Sequence, residues 1–351
     1  MSTNTSTPTN AVDTLWYTRC PVPTPLGLAV QLGWFSDEFE PDGITLKTLQ
    51  DTIDPALRES HYDHHLLNSF RQGGNVPALW ARAQGADTRV IGLNWIDEYQ
   101  AILSAPTSNI REPKDLRGRR LALPKHNNTI DHARAGALRG FLATLELGDV
   151  DPAEVEFVDI EIKNTLTAWA NNGRANRGSN GGYQPLIDAL LNGDVDAIFV
   201  KGSRGVEITQ LNGAHVVTDL RNHPDPLVRA NNGAPRPITV DTHLLETRPD
   251  IVARFLARIV DIGDWAAAHP AETLAYVSHE TGSNEQWVKA AYGADLHLHQ
   301  RTDLSEQSIA GLEAYKNFLF AHGFLKNDFD VRAWIDPRPL TELLSKASKA
   351  A

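Results

Sequence analysis

The sequence predicts an α/β fold made of two units around a cleft. Short apolar runs alternate with helical segments along most of the chain. Its 351 residues correspond to about two domains at roughly 150 residues each. The composition, 22% charged and 41% apolar, is ordinary globular usage, which excludes a disordered or collagen-like chain.

The elements follow in chain order. Residues 1–12, polar and rich in Ser and Thr, are expected to be a disordered tail. Thr14–Thr18 (TLWYT) reads as a strand and Arg19–Pro23 as a rigid turn. Thr24 is an N-cap with Pro25 at the first helical position, and the helix runs through Leu32 to a stop at Gly33. Ile44–Leu49 alternates like a strand. This βαβ unit places Cys20 at the carboxyl end of the first strand, where open α/β sheets bind ligands. A polar segment with His61, His64 and His65 comes next, then Arg71-Gln72-Gly73-Gly74 ahead of a helix over Val76–Gln84 that Gly85 ends. Arg89–Trp95 and Tyr99–Ser104 read as strands, the second as a crossover.

Leu121–Leu123 is a strand, the loop Pro124–Thr129 opens a helix over Ile130–Leu145, and Glu154–Asp159 is a strand. Asn171–Gly182 is low in complexity and expected to be a mobile loop. Pro185–Asn192 is a helix, and Gly193-Asp194-Val195-Asp196 turns into a strand ending at Val200. His215–Asp219 is a strand, Arg221–Pro237 a loop, and the remainder helical, most clearly over Pro249–Ala268. One unit is expected over 13–105 plus 230–351, the other over 106–229.

Charge narrows the partners. The 33 Lys and Arg against 44 Asp and Glu leave a net charge of −11. A chain this acidic, without a long basic run, is a poor partner for nucleic acid or an anionic membrane. No stretch reaches the eighteen or so apolar residues that span a bilayer. The start has neither a positive nor an apolar segment of a secretion signal. A cytoplasmic protein is expected. One cysteine rules out an intrachain disulfide and a thiolate-rich metal site.

Several residues carry chemistry. Cys20 lies between a strand end and a helix start, beside Arg19, where a helix dipole and a cation favour the thiolate. The alternative is a buried structural thiol. His61, His64 and His65 lack a matching acid, which argues against a metal site. His64 and His65 read as solvated, whereas one histidine paired with Cys20 would activate a nucleophile. Arg71 offers a guanidinium fork for a carboxylate, sulfinate or phosphate. Gly73 and Gly74 allow backbone N–H groups to approach that anion. His126 and Asn127, after a strand and before a helix, form a second candidate anion cradle.

These residues bring the chain to a family. Tyr17–Pro23 (YTRCPVP), His61, and Arg71-Gln72-Gly73-Gly74 ten residues later resemble the 2'-hydroxybiphenyl-2-sulfinate desulfinases of dibenzothiophene desulfurisation. Asp115–Arg120, Phe141–Glu146, Gly193–Ala197 and Arg248-Pro249 extend the resemblance. Parts of these recur in sulfonate- and nitrate-binding relatives, so they bear on fold alone. The resemblance implies a type II periplasmic-binding-protein fold, with two α/β lobes, a central cleft and two crossovers. It also implies hydrolysis of an aryl C–S bond to an arene, 2-hydroxybiphenyl in the family case, and sulfite. No organic cofactor or metal is implied. Cys20, His61 and Arg71 match the family's catalytic cysteine, histidine and arginine, and Gly74 the glycine whose N–H faces the sulfinate. A monomer acting on a small aromatic sulfinate is expected. Thr24–Gly27 is stiffer than the family pattern, and Lys201–Arg204 implies a more polar wall near the substrate. The rival reading is a non-catalytic solute-binding protein for a sulfonate or similar anion.

Overall fold

In the computed structural model, residues 12–163 and 182–350 are described, the last four by backbone alone. Most of the expected N-terminal tail, and residues 171–181 of the expected loop, lie outside this range. Four strands come first: β1 (Thr14–Arg19), β2 (Thr45–Thr48), β3 (Ser69–Gln72) and β4 (Thr88–Asn94). Five more follow: β5 (Gln100–Ser104), β6 (Arg120–His126), β7 (Glu156–Ile162), β8 (Ala197–Lys201) and β9 (His215–Asp219). The last described strand is β10 (Arg236–Asp241).

They build two five-stranded sheets, ordered β2-β1-β3-β10-β4 and β7-β6-β8-β5-β9. In the first, β1 is parallel to β2 and β3, while β10 runs antiparallel between β3 and β4. The second repeats the scheme, with β6 parallel to β7 and β8, and β5 antiparallel between β8 and β9. The fold is thus α/β with two lobes, as the alternation of elements predicts. The chain leaves the first sheet after β4 and returns at β10. Strand β5 falls in the second sheet, on the far side of the boundary expected at 105.

Local sequence explains the elements that position the site. Helix α1 (Pro25–Gln31) starts where Thr24 Oγ1 accepts the Gly27 N–H at 3.0 Å, and Gly33, at φ +79°, turns the chain out of it. Trp34–Phe39 then adds α2, a short helix absent from the sequence reading. The expected polar segment around His61 is instead a helix, α3 (Pro55–Asp63), with Pro55 at its first position and Asp54 capping Ala56 N–H at 2.9 Å. It ends as His64 enters the left-handed region at φ 55°, a conformation in which histidine is among the better tolerated side chains.

Strand β3 was not expected, because only Phe70 in it is apolar. Its alternation nevertheless sets the site: Phe70 stacks on Phe255 of the helix Pro249–Ala268, centroids 3.7 Å apart, so Arg71 points to the opposite face. Strand β10, where the end of a loop and the start of a mostly helical remainder were expected, is buried at all six positions.

The crossovers are held by buried polar groups. Glu98, in the first, accepts from Lys201 Nζ at 2.7 Å and from Arg236 Nη2 at 3.3 Å. Burial pushes its carboxyl up, but the two cations more than offset this and hold it below the ordinary range. From the second crossover, Asn231 donates to Gln100 Oε1 at 2.9 Å and to Gly136 O at 3.1 Å. Asn232 accepts the Asn75 and Val76 N–H groups, both at 3.0 Å, and so caps α4 (Asn75–Ala83). A Cβ on Gly74 would lie 2.6 Å from Asn232 Oδ1, which is why glycine precedes this helix. Among the described residues no helix is long and apolar enough to cross a membrane.

Candidate active site

Parallel strands β1 and β3 bring two sequence-distant residues together. Arg19 pairs with Gln72, so the next residue on each strand, Cys20 and Gly73, lie side by side. A Cβ on Gly73 would sit 2.2 Å from Cys20 Sγ and 3.7 Å from Arg71 Nη2. The thiol and the guanidinium are therefore neighbours, and Gly73 is the gap that admits the sulfur. Gly73→Ala should push the thiol out of place. We expect a 10- to 100-fold loss of turnover, on the order of that caused by a 1 Å misplacement, and slower alkylation of Cys20 by iodoacetamide. Unchanged values for both would show that the sulfur needs no such gap.

Arg71 is 4% exposed, and Nε, Nη1 and Nη2 have no hydrogen-bond partner among the described residues. Burial lowers its pKa; the groups opposing this are Cys20 and Tyr62, with no carboxylate among them. A buried guanidinium without an acid is expensive unless an anion arrives. His61 is buried beside it. Burial, then Arg71, His132 and His64, hold its pKa well below the ordinary imidazole range, so it is neutral at pH 7. Tyr62 packs edge-on to His61 at 4.8 Å; burial, Glu59 and Cys20 raise its phenol.

The structure changes the reading of the other histidines. His64, expected to be solvated, is 8% exposed with Nε2 buried and unpartnered among the described residues. Burial and Arg71 lower its pKa well below the ordinary range. His65 is exposed and paired with Asp63 at 2.5 Å. No group of three or more potential metal ligands occurs among the described residues.

His126 and Asn127 do not join this cluster as an open cradle. His126 Nδ1 meets Asp131 Oδ1 at 3.1 Å, and its N–H donates to Oδ2 at 2.7 Å. Asp131 in turn caps α5 (His132–Leu147) through Arg134 N–H. Asn127 is exposed. At α4, Asn232 already takes the Asn75 and Val76 N–H groups, so any backbone contact to an anion falls to Gly73 and Gly74. Of the polar wall, Lys201 faces Glu98, Ser203 Oγ meets Ser283 Oγ at 2.8 Å, and Arg204 pairs with Glu207 at 2.7 Å.

The residue that sequence reasoning missed is His132, at the first position of α5. Its Nδ1 is buried and unpartnered among the described residues. Burial lowers its pKa to about 4, with Lys201, His126 and Arg71 adding to this and Asp131 opposing it. A histidine opening a helix at the cleft was the available signal.

Comparison with known proteins gives these groups a context. No family model matches the chain. It is 26% identical to the 2'-hydroxybiphenyl-2-sulfinate desulfinase of Rhodococcus erythropolis, over 95% of this chain and 94% of that one. A crystal structure of a cysteine-to-serine mutant of the desulfurization enzyme DSZB, in complex with biphenyl-2-sulfinic acid, superposes with a TM-score of 0.76. It is 25% identical and covers 96% of this chain and 100% of that one. The periplasmic aliphatic sulphonate binding protein SsuA of Escherichia coli shares the fold, with a TM-score of 0.64 and 14% identity over 93% of this chain and 92% of that one. The chain is a homologue of the sulfinate desulfinases, built on the type II periplasmic-binding-protein fold it shares with sulfonate-binding proteins.

Proposed function

We propose that this protein is a desulfinase that hydrolyses the C–S bond of an aromatic sulfinate, of the 2'-hydroxybiphenyl-2-sulfinate kind, to the arene and sulfite. The observation that carries the reading is the buried, acid-free guanidinium of Arg71 beside a thiol. Arg71 and the Gly74 N–H hold the sulfinate oxygens and bring the ring carbon to Cys20. His61, neutral at pH 7, accepts a hydrogen bond and orients the reacting groups. The Cys20 sulfhydryl supplies the site's transferable proton. It protonates the carbon bearing sulfur, the C–S electron pair becomes the new C–H bond, and SO2 departs. Water converts SO2 to bisulfite and a proton, and that proton restores the thiol. The balance is ArSO2⁻ + H2O → ArH + HSO3⁻.

The fold shared with sulfonate-binding proteins favours a second reading, capture of such an anion without turnover. Purified protein given 2'-hydroxybiphenyl-2-sulfinate separates the two. We expect sulfite and 2-hydroxybiphenyl in equal amounts. Tight binding without sulfite would overturn the desulfinase and leave the binding protein.

A further inference from the structure

One half-buried histidine of the second lobe, with a buried ring nitrogen, has no task in the reaction described above. His132 opens α5, whose first turn is pinned against the first lobe. Ile130 and Ala135 pack in one apolar cluster with Val76, Ala78 and Leu79 of α4. Thr129 donates to Glu59 of α3. The charged and titratable groups that act on His132 come from both lobes: Arg71 in β3, His61 in α3, His126 at the end of β6, Lys201 at the end of β8, and its neighbour Asp131. Its Nδ1 is a buried polar atom without a partner among the described residues, as are the three guanidinium nitrogens of Arg71. Two unpartnered groups, one cationic and one able to become so, thus lie within electrostatic reach of each other, one on each lobe. A single anion between them would satisfy both.

We propose that His132 is the second lobe's contact to an anion held on Arg71, and that its imidazole takes up a proton from solvent as the anion binds. The inference rests on the anion-site reading above. In the empty site, burial and the neighbouring cations keep the ring neutral. An anion replaces a repelling field with an attracting one. An opposite charge at contact distance moves a pKa by about 1 to 3, enough to bring His132 from about 4 into the range that titrates near pH 6. The proton goes from buffer to the imidazole and no covalent bond changes. Binding therefore tightens as pH falls, and the second lobe closes on a charge pair rather than on a neutral ring.

The test is calorimetric titration of the Cys20→Ser protein with 2'-hydroxybiphenyl-2-sulfinate at pH 6, in buffers of different ionisation enthalpy. The serine removes turnover and any contribution from the thiol. We expect a net uptake of about 0.5 to 0.9 proton per anion bound, for a shift in the upper part of that range, about 2 to 3. Adding His132→Gln should remove most of that uptake and weaken binding about two- to tenfold at pH 6, but much less at pH 8. A purely structural role would weaken binding equally at both. Binding with no proton uptake, or with uptake unchanged by His132→Gln, overturns the inference and leaves the anion site standing. Absence of binding overturns both. Absence of sulfite from the wild-type protein, with binding and uptake intact, overturns the desulfinase alone.

Discussion

Cys20→Ser should abolish sulfite release while leaving sulfinate binding nearly intact. The hydroxyl has almost the shape of the thiol and fits the gap left by Gly73, so the site keeps its form. As an acid it is weaker by many orders of magnitude. Loss of a positioned proton donor costs about 10²- to 10⁴-fold in rate, and we expect a loss in that range. The anion contacts belong to Arg71 and Gly74, so affinity should change less than about threefold, within about 0.7 kcal/mol. Sulfite release and calorimetry on one preparation check both halves. Near wild-type turnover would remove Cys20 from the chemistry, and loss of binding would mean that the thiol itself holds the anion.

Arg71→Met should separate function from stability. A bidentate, charge-assisted grip on a sulfinate is lost, at about 1.5–3 kcal/mol per hydrogen bond, so affinity should fall by at least about 10²-fold. The unliganded fold should gain stability. Arg71 is 4% exposed with no carboxylate partner among the described residues, and exchanging buried charge for apolar volume is often favourable by about 1–4 kcal/mol. Urea midpoints of the ligand-free proteins read this gain, and titration with the sulfinate reads the loss. A destabilised variant that still binds would mean that Arg71 is a structural cation whose partner is something other than substrate.

How much of this was legible follows from what each residue must do. The cap at Thr24-Pro25, the stop at Gly33 and the helix Pro249–Ala268 are written in local chemistry, and so they were readable. The strand character of β3 and β10 was not. Each is short and central, and each takes its conformation from neighbours on both sides rather than from its own pattern. The candidate set of Cys20, His61, Arg71, Gly73 and Gly74 could be named from motif spacing, but the reason for Gly73 could not. It depends on a register that pairs residues more than fifty positions apart. His64 looked solvated because its neighbours are polar, yet the left-handed turn after α3 folds it inward. His132 carries no motif, and only the approach of α5 to α3 and α4 gives it a setting. His126 looked like an open anion contact because sequence does not show that Asp131 occupies its ring.

The strand order of the first sheet also bears on synthesis. Its β10 lies between β3 and β4 but is encoded some 140 residues after β4 ends, with the second sheet in between. A chain leaving the ribosome from its N-terminus has β1, β3 and β4 in hand long before the strand that joins β3 to β4. The second lobe, whose strands are contiguous in the chain, can close first. Until β10 arrives, β3 and β4 have unpaired edges, and Phe70 still waits for Phe255 to cover it. The half of the molecule that bears Cys20 and Arg71 is therefore the last to form, and the half most exposed to mispairing while it waits.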